Sequence, residues 1–435
     1  MGLRGLLVAA PQSGSGKTTL TLGLLRALSK KLEGQCTVYG AKSGPDYIDP
    51  AFHSAATGHA SMNLDAWAMD ENALKARLPK GGLVVVEGAM GLFDGAPPIG
   101  CGSSAHLAKV LGLPVVLVVD AARMSYSVAA LIQGFAAHDP EVKITGVLLN
   151  NVGSERHSKM LQSALGSVGI PVLGTLHRHK CLKTPSRHLG LVQAKEIDGL
   201  ENFIADAANL VEAHVDLDSV LGLSSEIKTK DHRMPRASKK IIALADELAF
   251  GFTYPHLVQE WTASGHTIKR FSPLADDAVP DANEVYLPGG YPELHAARLS
   301  GNTCFLDSLR NAAQNIDVYG ECGGYMVLGK TLVDANGVAH QMAGLLDLDT
   351  SFASPERHLG YRVVRETAEP KDLFSAHEFH YAKTLRAEGS PLFDVWDAAG
   401  NALPPMGLRQ GRVKGSFAHI IDKAPAALYP LAKSS

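Results

Sequence analysis

The chain has 435 residues, about three times the length of an average domain, which excludes a single small binding module and predicts two or three domains. Hydrophobic residues make up 46% and charged residues 20%, and no apolar run approaches the roughly 18 residues that cross a bilayer, which argues against disorder and membrane insertion. The 41 Lys and Arg residues nearly balance the 44 acids, so the net charge of -3 provides no general field for nucleic acid or an anionic membrane.

The amino-terminal segment and the cysteines bear on the cellular location. Residues 1–7 contain one arginine and lead into a Gly/Ser-rich turn, without the apolar length or the cleavage site of a signal peptide. The five cysteines are widely spread and form no C-x-x-C pair, so neither a disulfide framework nor a zinc cage is indicated. We therefore expect a cytoplasmic protein.

Apolar strands alternate with helical patterns through the first half of the chain. Near-continuous Val/Leu runs are typical of strands covered by helices on both faces, so the pattern predicts a parallel α/β sheet. The first helix is predicted after Thr18, where Leu20, Leu24 and Leu28 recur at every fourth position. Strands are predicted at 6–9, 37–40, 83–86, 115–119, 145–149 and 172–176.

The turn between the first strand and the first helix has the pattern of a phosphate-binding P-loop. Small residues let successive backbone N–H groups close around phosphates, and the helix N-terminus adds partial positive charge. Lys17 is expected to reach the terminal phosphates and the Thr18 hydroxyl to bind Mg²⁺, whereas Pro11 replaces the first glycine of the usual pattern. A merely flexible turn is the alternative. The predicted nucleotide-binding residues are Ser13, Gly14, Ser15, Gly16, Lys17, Thr18 and Thr19.

Charged residues follow two other strands of this predicted sheet. Glu87 comes directly after the strand at 83–86, where ligands of open α/β sheets collect, and it is predicted to bind Mg²⁺ together with Thr18 and Asp46. The loop at 42–50 offers a cation and two carboxylates, which can hold Mg²⁺ and a carboxylate substrate. Capping or turn roles are the alternative for each charged residue taken alone. The predicted substrate-binding residues here are Lys42, Asp46, Tyr47, Asp49 and Asp94.

A cationic cluster at 177–188 stands out in an otherwise neutral chain. Its members Arg187 and His188 are predicted to bind a polyanionic substrate, and a solvated loop is the alternative. Farther along, the polar segment 223–239 carries an excess of Lys and Arg and is interpreted as a linker. The predicted domains are therefore 1–222 and 240–435.

The second α/β series begins after this segment, with strands predicted at 241–245, 284–287 and 318–320. The last of them leads into Gly-Glu-Cys-Gly-Gly, the thiol version of a nucleophile elbow, which exposes Cys322 above the sheet near a helix N-terminus. That position is expected to lower the pKa of the thiol. Backbone N–H groups of Gly290 and Gly323 are predicted to form an oxyanion hole, and His419 is the candidate base. A buried structural role is the alternative for Cys322 and for His419.

The run His377-Glu378-Phe379-His380 differs from the zinc motif H-E-x-x-H. Its two histidines are three positions apart, and the sequence offers no third ligand nearby. We therefore predict no metal at this place.

Taken together, these motifs resemble one family, the cobyrinic or hydrogenobyrinic acid a,c-diamide synthases. The resemblance is carried by the segments 10–19, 42–50, 86–95, 187–191, 287–293 and 320–326, and it extends over essentially the whole chain. The first domain is similar to dethiobiotin synthetase, and the second to class I glutamine amidotransferase domains. One difference is that this class usually reads His-x-Glu, whereas Ile421 stands where the acid is expected, two residues after His419.

The resemblance implies two α/β domains, each on a mainly parallel sheet, and an ATP- and glutamine-dependent ligase of cobalamin biosynthesis. It implies that the a and c carboxylates of a corrin polycarboxylate are activated as acyl phosphates with Mg-ATP, for which Lys17 is catalytic, and then amidated. Ammonia comes from glutamine through Cys322 and His419. A homodimer is expected, and neither nucleic acid nor membrane is a partner. The alternatives are amidation of other side chains, as in cobyric acid synthase, and a P-loop switch ATPase without a product.

Overall fold

A computed structural model describes residues 2–97, 100–178, 192–230 and 238–433. Arg187 and His188 lie outside the described residues. The chain divides into two compact units, Met1–His232 and Arg233–Ser435. Within the segment 223–239, which the sequence predicts as a linker, Ser225–Glu226 pairs with the first strand of unit 1.

Unit 1 is built on a parallel sheet, and the six predicted strands are confirmed. The central strands β1, β4 and β5 are short apolar runs that are buried on both faces, which requires helices on both sides. Its strands are β1 (Leu3–Ala9), β2 (Val38–Ser43), β3 (Met62–Leu64), β4 (Gly82–Glu87), β5 (Val115–Asp120), β6 (Ile144–Val152), β7 (Val172–His177) and β8 (Ser225–Glu226). The order is β3-β2-β4-β1-β5-β6-β7, with β8 antiparallel to β1.

The helices of unit 1 cover this sheet. The first helix begins at Lys17, and its leucines at positions 20, 24 and 28 are buried as their four-residue spacing predicts. Gly23 allows close packing between helices, because a Cβ there would lie 2.6 Å from the Ala207 carbonyl oxygen. The helices are α1 (Lys17–Lys31), α2 (Asp49–Thr57), α3 (Glu71–Ala76), α4 (Ser104–Leu111), α5 (Ser127–His138), α6 (Glu155–Leu165), α7 (Leu200–His214) and α8 (Leu217–Leu223).

Unit 2 also alternates strands and helices at first. The three predicted strands are confirmed as β9 (Ile241–Ala245), β11 (Glu284–Leu287) and β12 (Asp317–Glu321). The remaining strands are β10 (Thr267–Phe271), β13 (Thr331–Val333), β14 (Ala339–Gln341), β15 (Asp347–Ser351), β16 (His358–Glu366), β17 (Phe374–His380), β18 (Lys383–Glu388), β19 (Ser390–Asp397), β20 (Ala402–Gln410), β21 (Val413–Ser416) and β22 (Ala418–Lys423). The helices are α9 (Pro255–Ala263), α10 (Ala296–Gly301), α11 (Thr303–Ala312) and α12 (Gly323–Leu328).

The large sheet of unit 2 is mixed. Its order is β10-β9-β11-β12-β21-β20-β19-β16-β17-β22; the part from β10 to β21 is parallel, and the rest is antiparallel. Short hairpin connections after β15 leave no room for crossover helices, which explains the antiparallel part. A smaller sheet has the order β14-β13-β15-β18. The predicted α/β class is confirmed, with an antiparallel half added to the second sheet.

The largest apolar cluster of unit 2 among the described residues draws on both strands and helices. Phe250, Phe305, Leu287 and Val318 are buried there, and Tyr325 of α12 packs on the same cluster. This cluster therefore joins α12 to β11 and β12.

No helix in the part of the chain that the structure describes is long and apolar enough to cross a membrane.

Candidate active site in each unit

The P-loop of unit 1 has the backbone geometry that its glycines predict. Gly14 and Gly16 adopt φ angles of 79° and 80°, which side-chain-bearing residues rarely adopt, and α1 begins directly after Gly16. The Asn150 amide, at the end of β6, donates to the Ser15 carbonyl oxygen at 2.9 Å. A Cβ on Gly16 would lie 2.2 Å from the same amide nitrogen, so this loop closes against β6.

Thr18, Lys42 and Glu87 come together at the carboxyl edge of the sheet. The Thr18 hydroxyl donates to Glu87 Oε1 at 2.6 Å, and Lys42 Nζ donates to the same oxygen at 3.0 Å. Lys42 and Glu87 are direct neighbours in the pairing of β2 with β4. Three residues that are distant in sequence therefore form one cluster, in which Lys42 and Glu87 are buried and Thr18 is partly buried. Their binding roles stay predictions.

Asp46 and Asp49 complete this cluster from the loop that follows β2. Lys42 Nζ lies 2.5 Å from Asp49 Oδ2 and 4.0 Å from Asp46 Oδ2. Asp46 Oδ1 also accepts the backbone N–H groups of Ile48 and Asp49, so the turn role named as its alternative is present. Whether these carboxylates also bind a ligand stays a prediction.

The charges in this cluster shift one another's pKa values. Burial tends to raise the pKa of Glu87, but Lys42, His53 and Lys17 hold it well below its usual range. Burial, with the charges of Asp46 and Glu87, raises the pKa of Asp49 to about 7 despite Lys42. Burial opposes the charge on Lys42, yet its acidic neighbours raise the pKa of that amine. The cluster thus holds Lys42 and Glu87 as a buried ion pair.

Lys17 lies beside this ion pair, where burial and the charge of Lys42 lower its pKa although Glu87 opposes them. Its Nζ atom is 3.4 Å from the Met90 carbonyl oxygen, in the loop after β4. In the same loop, Asp94 Oδ2 accepts the Gly91 N–H at 2.8 Å, which is the turn role. Tyr47 is nearly buried. The substrate roles predicted for Asp94 and Tyr47 stay predictions.

Sequence reasoning missed three residues of this site. His53 Nε2 lies 2.7 Å from Glu87 Oε2, and both side chains are fully buried. Asn63, at β3, donates to the carbonyl oxygens of Gly44 and Asp46 and so supports the loop after β2. Asn150 holds the P-loop. Asn63 and Asn150 lie close to the carboxyl ends of β3 and β6, which was an available signal. His53 lies within α2, and no local pattern pointed to it.

In unit 2, Cys322 occupies the predicted turn between β12 and α12. Its φ of 47° and ψ of -100° are strained for a non-glycine residue, as expected of a nucleophile elbow. The Cys322 N–H donates to the Ser416 carbonyl oxygen at 2.8 Å. A Cβ on Gly324 would lie 2.0 Å from the Leu287 carbonyl oxygen, so the turn leaves no space for a larger residue.

His419 lies beside Cys322 across Gly289. A Cβ built on Gly289 would lie 2.2 Å from His419 Cε1, 2.9 Å from His419 Nε2 and 3.3 Å from Cys322 Cβ. The thiol-bearing carbon and the Nε2 edge of the imidazole therefore approach the same point. This is the arrangement in which a histidine can accept a thiol proton.

The protonation of this pair differs from the sequence prediction. Burial raises the pKa of the Cys322 thiol, helped by the charge of Glu293, and the hydrogen bond from the Gly323 N–H only partly opposes it. Burial lowers the pKa of His419 to about 3, and His377 and His380 act in the same direction. The resting pair is therefore a neutral thiol and a neutral imidazole, because desolvation outweighs the effect of the helix terminus.

The predicted oxyanion hole has its two members adjacent. A Cβ on Gly323 would lie 2.9 Å from the Gly290 nitrogen, and one on Gly290 would lie 2.1 Å from the Ala249 carbonyl oxygen. The Gly323 N–H already points to the Cys322 sulfur. Their role in holding an oxyanion stays a prediction.

In the structure, His358 lies next to the run from His377 to His380, which the sequence did not indicate. Potential ligand atoms of His358, Glu378 and His380 lie within 4.8 Å of one another, because β16 pairs with β17. The Glu378 carboxylate is already bound, by the Arg362 guanidinium at 2.8 Å and by His380 Nε2 at 3.0 Å. The Glu378 carboxylate therefore has an ion-pair partner in Arg362 and a hydrogen-bond partner in His380, and the absence of a metal at this place stays a prediction.

We expect Gly289→Ala to disrupt the Cys322–His419 pair, because the new methyl group would overlap the His419 ring. The change should lower kcat for the glutamine hydrolysis that the family resemblance implies by about 10²-fold or more, since general acid–base catalysis contributes that much. Steady-state glutamate release measures it. Gly301→Ala is the control, because a Cβ there meets nothing within 4 Å. Full activity of Gly289→Ala would contradict the placement of His419.

Both units match families of known proteins. Residues 6–192 match the CobQ/CobB/MinD/ParA nucleotide binding domain, and residues 254–426 match the CobB/CobQ-like glutamine amidotransferase domain. Hydrogenobyrinate a,c-diamide synthase of Brucella abortus biovar 1 (strain 9-941) is 52% identical, covering 97% of this chain and 99% of the relative. The proteins of the same name from Sinorhizobium sp and Rhizobium meliloti (strain 1021) are 50% and 49% identical, covering 98% and 97% of this chain and 100% and 99% of the relatives. With a nucleotide site, a thiol site and relatives similar along nearly their entire length, the chain belongs to the hydrogenobyrinate a,c-diamide synthase family and is a glutamine amidotransferase of the ligase class.

Proposed function

We propose that this protein uses ATP and glutamine to amidate the a and c carboxylates of hydrogenobyrinic or cobyrinic acid, a corrin polycarboxylate, in cobalamin biosynthesis. The observation that carries the proposal is the presence in one chain of two separate reaction centres. One is a P-loop beside a buried Lys–Glu pair, and the other is a Cys–His pair at a strained elbow. A carboxylate does not react with ammonia unless it is activated, and ammonia must first be released from glutamine, so an enzyme that forms amides with glutamine as its nitrogen source needs both.

The activation step is assigned to unit 1. There Lys17 and the P-loop N–H groups would bind the ATP phosphates while a substrate carboxylate oxygen attacks the γ-phosphorus and ADP leaves. The result is an acyl phosphate, from which ammonia displaces inorganic phosphate. Phosphoryl transfer depends on positioning and electrostatics, which is what a cluster of fixed buried charges provides.

Mg²⁺ fits the oxygen donors at this edge. The Thr18 hydroxyl and the Glu87 carboxylate meet at 2.6 Å, and Asp46 lies on the adjoining loop. Hard oxygen ligands of this kind suit Mg²⁺, which when bound would neutralise charge on the nucleotide phosphates. We propose Thr18, Asp46 and Glu87 as the residues that hold it.

Glutamine hydrolysis is assigned to unit 2. The Cys322 sulfur attacks the side-chain amide carbon of glutamine while His419 Nε2 takes the thiol proton. N–H groups of Gly290 and Gly323 would stabilise the oxyanion. His419 then gives its proton to the departing nitrogen, ammonia leaves, and water hydrolyses the γ-glutamyl thioester to glutamate. Since burial keeps the imidazole neutral, this base is available at neutral pH.

The substrate is proposed from the relatives and from the loop after β2. The curated relatives are named for hydrogenobyrinate, which favours the a,c reaction over the other side chains amidated by cobyric acid synthase. Lys42, Asp46, Tyr47, Asp49, Asp94, Arg187 and His188 are the proposed contacts, the last two outside the described residues. A switch ATPase is disfavoured because it has no use for Cys322. We also propose a cytoplasmic homodimer.

Incubation with ATP, glutamine and each corrin acid tests the proposal directly. Mass spectrometry should find a product in which two carboxyl OH groups have become NH₂, with two ATP and two glutamine consumed for each corrin. Comparing the cobalt-free with the cobalt-containing acid identifies the preferred substrate. ATP hydrolysis without any amide product would favour the switch ATPase instead.

We expect Asp46→Asn and Asp49→Asn to slow synthesis about 10²-fold with either nitrogen source, because positioning alone accounts for such factors. Asn keeps the shape of each side chain and removes the charge. Monoamide should accumulate, since the ring must present two different side chains to one phosphoryl group. Product ratios by chromatography measure this effect. Asp70→Asn is the control, because Asn also caps the start of α3. Wild-type rates would leave both aspartates with turn roles alone.

A further inference from the structure

His419 is followed by two isoleucines, so the carboxylate that usually orients the histidine of this enzyme class is missing from its expected place. The structure places another carboxylate there. Glu321 Oε2 lies 3.6 Å from His419 Nδ1, and both side chains are almost completely buried, at 1% and 0% exposure. We propose that Glu321, the residue directly before the nucleophile, is the positioning residue that orients His419 and stabilises its protonated form.

The orientation of the imidazole ring supports this assignment. Its Nε2 edge faces Gly289 and the Cys322 Cβ, whereas its Nδ1 atom faces Glu321. A base must present an unprotonated Nε2 to the thiol, which requires the proton to be on Nδ1. A carboxylate that accepts the Nδ1–H selects that tautomer, as in serine-protease triads. The present separation is slightly longer than a hydrogen bond, and such contacts often shorten when substrate binds.

Backbone contacts fix the Glu321 carboxylate. Its Oε1 atom accepts the N–H of Ile420 at 3.1 Å, and Ile420 is the residue after His419. The same carboxylate therefore faces both the imidazole and the backbone of the strand that carries it. Tyr286 and Tyr319 also approach it and partly oppose the effect of burial, which raises the pKa of Glu321 to about 7.

The charge formed during the reaction makes such a carboxylate necessary. When His419 accepts the thiol proton it becomes a cation in a fully buried place, where burial, His377 and His380 all disfavour that charge. An uncompensated buried cation is costly, and a negative charge next to Nδ1 offsets the cost. Glu321 is the group that the structure places at Nδ1.

This inference rests on the proposed glutaminase function of Cys322 and His419, so the test first measures glutamate release by the wild-type protein. Glu321→Gln keeps the shape and the acceptor for Ile420 but removes the charge, and its amide group favours the wrong tautomer. We expect glutaminase kcat to fall about 10²-fold with KM for glutamine nearly unchanged. Synthesis from ammonium salts, which needs neither residue, should stay within twofold of wild type.

Glu366→Gln is the matched control. It removes another carboxylate of unit 2, which pairs with Lys414 and Arg409 instead of His419, and it should keep glutaminase kcat within twofold of wild type. If Glu321→Gln does not fold, Glu321→Asp is tested in its place. The shorter side chain keeps the negative charge but moves the carboxylate oxygens away from His419 Nδ1. A tenfold loss of kcat is then expected.

The pH profile gives a second measurement. Glu321 ionises as the pH rises through its pKa of about 7, so the kcat of the wild-type protein should rise over that range. Glu321→Gln should not show this rise in kcat. Among the described residues, the titratable or charged groups that act on Glu321, Cys322 or His419 include Tyr286 on β11, Tyr319 on β12, Glu293, and His377, Glu378 and His380 on β17.

Two results would overturn the inference while leaving the proposed function intact. One is a loss of kcat below tenfold in folded Glu321→Gln. The other is a rise of kcat near pH 7 that persists in Glu321→Gln. A wild-type protein without glutaminase activity would instead overturn the proposed function, and the inference with it.

Discussion

Replacing Cys322 by alanine should abolish glutamine-dependent synthesis and leave synthesis from ammonium salts within twofold of wild type. In the proposed mechanism the thiol serves only to release ammonia from glutamine, so added ammonia would bypass the missing step. No covalent thioester can form without the sulfur, and glutaminase activity should fall to background. Amide formation with each nitrogen source, followed by product mass, measures both effects.

Cys304→Ala is the control for this experiment, because Cys304 is an exposed free cysteine of the same unit. It should behave as wild type with both nitrogen sources. Equal loss of both activities in folded Cys322→Ala would show that the two reactions are not divided between the two centres. The buried structural role that is the alternative for Cys322 would then be favoured.

Replacing Lys17 by alanine should remove synthesis with either nitrogen source, by about 10³-fold or more. Without its ammonium group the γ-phosphate loses charge stabilisation in the transition state, and no acyl phosphate forms for ammonia to attack. Rates of ADP release in the presence of the corrin acid measure the loss. Basal glutaminase chemistry at Cys322 should survive, since it needs no phosphate.

Lys30→Ala provides the comparison. Lys30 is on the same helix and pairs with Glu212, but both side chains are exposed and such pairs contribute little to stability. Its synthesis rate should match that of wild type. Substantial ammonia-dependent synthesis by Lys17→Ala would mean that the P-loop does not activate the carboxylate.

Several features of this protein were predictable because they are local. The P-loop between β1 and α1 and the elbow at Cys322 are each a strand, a short glycine-rich turn and a helix, and a few adjacent residues specify the backbone. The parallel strands are near-continuous apolar runs, which are recognisable in any context. The position of Glu87 at the carboxyl edge of the sheet was predictable because it ends such a run.

Other features depend on which strands become neighbours. Lys42 pairs with Glu87 only because β2 lies beside β4, and His53 reaches the same carboxylate from α2. The antiparallel half of the second sheet consists of hairpin strands in which the alternation of apolar and polar residues is weak, so the sequence does not mark them clearly. Which strands pair depends on the surface that both of them bury, and residues far apart in the sequence contribute to it. No short sequence pattern therefore predicts the pairing.

By itself, the sequence determined the α/β class, the glycine-rich loop before α1, the turn at Cys322 and the family resemblance. Only the tertiary structure decided the protonation of Cys322 and His419, since burial, which no motif encodes, outweighs the helix terminus. It also decided that Glu321 faces His419 Nδ1, although the two residues are 98 positions apart in a sequence of 435. The physical reason is that the pKa of a buried group depends on all the charges and dipoles packed around it, and these groups come together only when the chain folds.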